Sequence, residues 1–190
     1  MTGVQTCALP IWESEVDTAP RIDYSISDTN NMSSKNHKNK LIVLCGSMIN
    51  MDKMNVIKDE LIGKGYNVIA PELSEEEIKS GDKTFIDIIN EKGGIENIPV
   101  NDDIWKIKTD TMRDYLKYIE QSDAVLICNY TKGIEIDKIG DNSYFEMSIA
   151  FYLKKKIYVL NGPPYKSSKC EEVIAMQSTF LHGDLNKLFI

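Results

Sequence analysis

Histidine is nearly missing from this chain: His37 and His182 are the only two. A site built on imidazole ligands is not expected, so no metal and no cofactor is assigned. Cysteine is sparse, and Cys7, Cys45, Cys128 and Cys170 form no CxxC pair. Cys45 and Cys128 fall inside apolar, strand-like runs, where a buried, reduced thiol in a cytoplasmic protein is the expected reading. No apolar run approaches the roughly 20 residues of a membrane span, and no membrane partner is expected. Positive charge is also short. The 22 Lys and Arg face 29 Asp and Glu for a net charge of −7, which argues against nucleic acid as a partner. Repeats and low-complexity tracts are absent. What remains, 190 residues, suffices for one domain with a proper core.

The two ends of the chain read differently. "MTGVQTCALPI", residues 1–11, is what a common sequencing-adapter oligonucleotide encodes when read from a GTG start, so it is taken as a translated scar and set aside. Residues 12–39 are polar and without period, either read-through or a disordered arm, with Met32 as the expected start. The organised domain is expected over residues 40–190.

Within it, apolar runs alternate with helical periods. "KLIVLCGS", "YNVIAP", "DAVLICNY" and "KIYVLNGPP" read as strands, and "TFLHGDLNKLFI" holds a possible fifth. "MDKMNVIKDELIGKG" reads as a helix stopped by Gly63 and Gly65, and "TFIDIIN" as a short one. "NDDIWKIKTDTMRDYLKYIEQSD" is helical, with Ile104, Ile107, Met112, Leu116 and Ile119 as its apolar stripe. "KCEEVIAMQ" is the last helix. Alternating β and α units predict a three-layer, doubly wound α/β fold of flavodoxin or Rossmann-like type, with four to five mostly parallel strands. Such folds bind ligands at the carboxyl ends of the strands. That edge collects Gly46-Ser47, Asn129-Tyr130 and Asn161-Gly162, beside the helix in "GDNSYFEMSIAFYLKKKIYVL".

Glu146 interrupts the apolar run of that helix, and two explanations stand. Ser143-x-x-Glu146 matches a capping box, in which the glutamate folds back to the N-cap amide. Alternatively, at 100° per residue, Glu146 shares a side with Ile149, Ala150 and Leu153, roughly 160° from Ser148. A carboxylate on that flank is half-buried, is kept anionic by the helix N-terminus, and makes a nucleophile.

"CGS" after the first strand, "SDAVLICNY" and "DNSYFEMSIAFYLKKKIYVLN" resemble the nucleoside 2-deoxyribosyltransferase superfamily and its nucleotide N-glycosidase relatives, over about residues 40–162. The most specific element is a small-residue loop followed by x-x-E-[LM]-x-x-A, matched by Glu146, Met147 and Ala150. "GDLNKLFI" is similar to the closing segment of members of that group. Two positions depart from the pattern: Ser148 stands for the usual glycine, and Tyr115, with Asp114 adjacent, stands for a base-facing aspartate.

The resemblance implies that Glu146 attacks the anomeric carbon of a small-molecule nucleoside or nucleotide, with hydrolysis or transfer to a second base to follow. It also implies a homo-oligomer. Proton delivery to the leaving base falls to Asp114 or to Asp141, the latter equally readable as a turn residue. Gly46 and Ser47 would bind a 5′-hydroxyl or 5′-phosphate at a helix N-terminus, or form an ordinary strand-to-helix turn. Tyr130 stacks on a base or is a loop tyrosine without a role; Asn129 and Asn142 hold sugar hydroxyls or cap turns. A dinucleotide-dependent oxidoreductase is not inferred, because the first turn is far from GxGxxG. Two further readings stay open: a nucleotide-binding or sensing module without turnover, and a scaffold in which Glu146 only caps.

Overall fold

A computed structural model describes residues 40–72 and 85–190. Residues 1–39, read from the sequence as a scar and a polar arm, and the acidic stretch "SEEEIK" lie outside the described residues.

The strands form because their residues are β-branched or leucine and are buried on both faces. β1 (Leu41–Cys45), β3 (Ala124–Ile127) and β6 (Lys156–Val159) are almost wholly buried, the signature of parallel strands covered by helices on each side. With β2 (Asn67–Ile69) and β7 (Thr179–Phe180) they make one parallel sheet in the order β2-β1-β3-β6-β7. The sheet is five-stranded, three-layered and α/β, as the alternation predicts. Register is set by the core: Cys45 lies opposite Ile127, and Ile127 opposite Val159.

Side-chain alternation divides the core into two layers. Leu44 and Leu126 face α1 (Met51–Gly63), through Met54 and Leu61, and the C-terminal Leu181 and Leu188. Val43, Cys45 and Ile127 face Ile119 of α3 (Ile104–Gln121), Met147 and Ala150 of α4 (Asp141–Tyr152), and Val173 of α5 (Cys170–Ala175). Removing one such side chain, as in Leu126→Ala, costs about 2–5 kcal/mol. The remaining short helix is α2 (Phe85–Glu91). Asp123, expected only to open a strand, ties β1 to β3: its carboxylate accepts from the Leu41 amide at 2.8 Å and from Lys40 Nζ at 2.9 Å.

Three local expectations change. The α3 stripe does not include Ile107, which is 38% exposed; it lies about 100° from the centre of the buried line. That line runs through Ile104, Lys108, Met112, Tyr115 and Ile119. Residues 130–138 form an unforeseen antiparallel hairpin, β4 (Tyr130–Lys132) and β5 (Glu135–Lys138). Gly133, at φ +60°, opens its two-residue turn, as a type II′ turn asks. Most of the hairpin is solvent-exposed, so no apolar face marks it in the sequence.

Finally, α4 begins at Asp141 with Gly140 as N-cap, whose carbonyl accepts from the Tyr144 amide at 2.9 Å. Ser143 is therefore the third helical residue, buried, and not the N-cap. The capping box does not form. Glu146, the sixth residue of the helix, is too far along to reach the N-cap amide.

Candidate functional site

The strand order reverses between β1 and β3, since β2 lies outside β1 while β6 and β7 follow β3. The crevice at the carboxyl ends of these two strands is where doubly wound sheets hold ligands. Cys45, Gly46 and Ser47 leave β1 there; Cys128, Asn129 and Tyr130 leave β3. Gly46 is required by packing: a Cβ would lie 2.4 Å from Met54 Sδ and 3.1 Å from Cys128 Cβ. Ser47 is exposed, and its hydroxyl makes no capping bond to the helical turn it precedes.

Glu146 is half-buried on the α4 flank, beside the fully buried Met147 and Ala150. It faces the end of β1, where the fully buried Cys45 thiol lies beside its carboxyl. Burial pushes its pKa up to about 7; the Cys45 thiol and the positive charge of Lys108 pull part of the way back. The expectation of a carboxylate held anionic by the helix N-terminus is thereby corrected. Dipole stabilisation fades beyond the first turn, and desolvation dominates. The Cys45 thiol is held well above the usual thiol range by burial first, then by the adjacent Glu146.

α3 closes the other side of the carboxyl. Lys108 sits in the buried line of that helix, its ammonium also 5.2 Å from the Phe85 ring centroid. Tyr115 donates its hydroxyl to the Leu44 carbonyl, pinning α3 to β1 one residue before Cys45. Asp114, next to it, is turned outward and exposed, paired with Lys117 at 2.7 Å. The adjacent position, Tyr115, occupies the inward direction because one residue turns the helix by 100°.

The other expected residues divide in two. Asp141 is fully exposed at the first position of α4 and ion-paired with Lys169, which holds its carboxyl below the ordinary range. An acid so held is ionised at neutral pH and has no proton to deliver. Asn142 is exposed beside it. Asn129 is completely buried and its amide is engaged within the protein. Nδ2 donates to the carbonyls of Gly162 at 2.9 Å and Asp137 at 3.2 Å, and Oδ1 accepts from the Asn161 amide at 2.9 Å. The side chain thus joins β3 to the hairpin and to the loop after β6, which matches the structural one of its two readings. Tyr130 is half-buried, with Lys53 Nζ 5.1 Å from its ring centroid and a buried hydroxyl that has no hydrogen-bond partner among the described residues.

The structure therefore gathers Gly46, Ser47, Asn129, Tyr130 and Glu146 around the switch point and leaves Asp114, Asp141 and Asn142 on the surface. Cys45 and Lys108 are neighbours of Glu146 that the sequence does not point to, whereas Tyr115 is the residue read at the base-facing position. Position carries the only signal for Cys45: it is the last strand residue before Gly-Ser. Among the described residues no group of three or more His, Cys, Asp or Glu could hold a metal ion. No described helix is long and apolar enough to cross a membrane.

No family model matches the sequence, and no curated protein does. Among solved structures, the chain is similar to the CMP N-glycosidase BcmB of Clostridium botulinum at 12% identity, covering 74% of this chain and 86% of that one with a TM-score of 0.38. It is also similar to a 2-deoxyribosyltransferase of Bacillus psychrosaccharolyticus at 15% identity, covering 63% and 70% with a TM-score of 0.34.

Proposed function

We propose that the protein cleaves or transfers the N-glycosidic bond of a nucleoside or nucleotide, with Glu146 as the nucleophile. The observation that carries this reading is the placement of a half-buried carboxyl, too deep in its helix to cap, at the β1/β3 switch point. The resemblance of the segment around Glu146-Met147 to the deoxyribosyltransferase superfamily supports it.

In the reaction the ionised carboxyl attacks C1′ through an oxocarbenium-like transition state, and the C1′–N bond breaks with its electron pair leaving on the base. The base gains a proton as it departs. Water or a second base then attacks C1′ of the glycosyl ester, which restores Glu146 and the original configuration. A carboxyl with pKa near 7 is only about half ionised at neutral pH. The positive charge growing on the sugar favours the ionised form, so the same desolvation that raises the pKa strengthens attraction in the transition state. Ser47 and the amides after Gly46 suit a 5′-hydroxyl or 5′-phosphate, and Tyr130 suits the base. A domain spanning residues 40–190, acting as a homo-oligomer, belongs to the same proposal.

A second reading has one observation behind it: Asp114 and Asp141 are both exposed and ion-paired. A pocket without an acid for the leaving base suits a nucleotide-binding module that lacks turnover. The experiment is to incubate the protein with a panel of nucleosides, deoxynucleosides and 5′-monophosphates and follow free base. Release that disappears in Glu146→Gln supports the enzyme. Ligand-dependent thermal stabilisation without release, retained in Glu146→Gln, supports the binding module instead.

A further inference from the structure

"LKKKIY" is a motif to which the reaction above gives no task. Its three lysines, Lys154, Lys155 and Lys156, stand at the amino end of β6, on the sheet edge opposite Gly46. With Lys187 they line an open cleft of about 560 Å³, whose other walls include Phe151, Tyr158, Met176 and Phe189. That volume lies in the range of small-molecule sites, roughly 300–1,000 Å³. Among the described residues no carboxylate side chain lines the cleft. In a chain of net charge −7, a wall of four lysines is a local inversion of sign.

Local structure explains how the lysines come to be there. Lys154 (φ +56°) and Gln177 (φ +55°) are the left-handed residues that stop α4 and α5, so two helix carboxyl ends open onto the cleft. Each end carries about half a negative charge, which four ammonium groups more than offset. Three of the lysines are tethered by backbone carbonyls. Lys155 donates to Glu120 and Ser122 at 2.7 and 2.8 Å, Lys156 to Phe189 at 2.9 Å, and Lys187 to Leu181 at 3.5 Å. An ammonium has three donors, so each keeps at least one for a ligand while its stem is held in place. Phe151 is half exposed and lines the same cleft.

We propose that this cleft is a second binding site, separate from the switch-point crevice, for a small aromatic monophosphate. The ring lies against Phe151, and the phosphate accepts hydrogen bonds from Lys154, Lys156 and Lys187. Two requirements follow: charge alone binds weakly, and an uncharged ring alone binds weakly.

The test is amide-resolved NMR titration of the full chain with phenyl phosphate, inorganic phosphate and benzyl alcohol. Phenyl phosphate is expected to give saturable shifts at residues 151–158, 176–179 and 187–189, with Gly46 and Ser47 unmoved. Lys154→Glu with Lys187→Glu, both at exposed positions, should weaken it about tenfold or more while the rest of the spectrum stays folded. Phe151→Ala should weaken phenyl phosphate and leave inorganic phosphate unchanged. Inorganic phosphate binding as tightly as phenyl phosphate, shifts confined to the Gly46 edge, or no saturable shift at all would each overturn the proposal.

Discussion

Cys45, the last residue of β1, faces the carboxyl of Glu146, the sixth residue of α4, so that the end of a central strand and the flank of a covering helix share one buried polar contact. Burial sets the protonation of the candidate nucleophile, and this contact moderates it. Burial raises the carboxyl's pKa to about 7, and the thiol opposes that rise. Cys45→Ala should therefore move the acid limb of the pH–rate profile up by roughly half a pH unit, and Cys45→Ser, which restores a donor, should move it back. A profile indifferent to both substitutions would separate Cys45 from the chemistry.

Glu146 also predicts a pH-dependent stability. The unfolded chain releases this proton near pH 4.5, the folded protein near 7. Folding thus favours the protonated carboxyl, so the stability it allows is full below about 4.5 and falls as pH rises towards 7. Glu146→Gln removes the fall. The variant should match the wild type at pH 4 and exceed it at pH 8.5 by on the order of 1–3 kcal/mol in urea unfolding. Equal stabilities at pH 8.5 would mean that the carboxyl is better hydrated than its burial implies.

Much of this arrangement is legible in the sequence, and the parts that are not have physical reasons. The sheet is visible because doubly buried strands read as unbroken apolar runs. The α3 interior is less visible because Lys108 and Tyr115 lie on its buried line: a lysine buries its stem and keeps its charge at the edge, which breaks the apolar pattern that Ile107 falsely completes. The helix start is misread for a different reason. Ser143-x-x-Glu146 is a good local signal, but Gly140 takes the cap, and only the three-dimensional entry of the chain decides between them. Asp114 fails by one residue of helix phase.

Asn129 should matter for folding. It is fully buried and bonds the hairpin and the loop after β6, so Asn129→Ala should cost about 2–4 kcal/mol. The Asn161 amide, which donates to it, should lose its protection from hydrogen exchange. Retained protection would show that the contact is not what holds that loop.

Gly46→Ala should cost roughly 1–3 kcal/mol, because the new methyl meets Met54 inside a closed core. The shorter Met54→Leu, added to it, should recover part of the loss in urea unfolding. An unchanged midpoint for the single substitution would place the glycine outside the packing role assigned to it.

Asp114→Asn and Asp141→Asn each remove an exposed carboxylate from a surface ion pair. Neither should change the rate of base release by more than about twofold, since such pairs contribute little. A large loss in either would assign it the proton delivery that its position does not suggest.

The most direct measurement is to quench a single turnover with acid, digest the protein and weigh the peptide that carries Glu146. The account predicts a pentosyl or deoxypentosyl ester on that peptide, formed as base is released and absent from Glu146→Gln. Base released at full rate without the ester, and undiminished in Glu146→Gln, would contradict it.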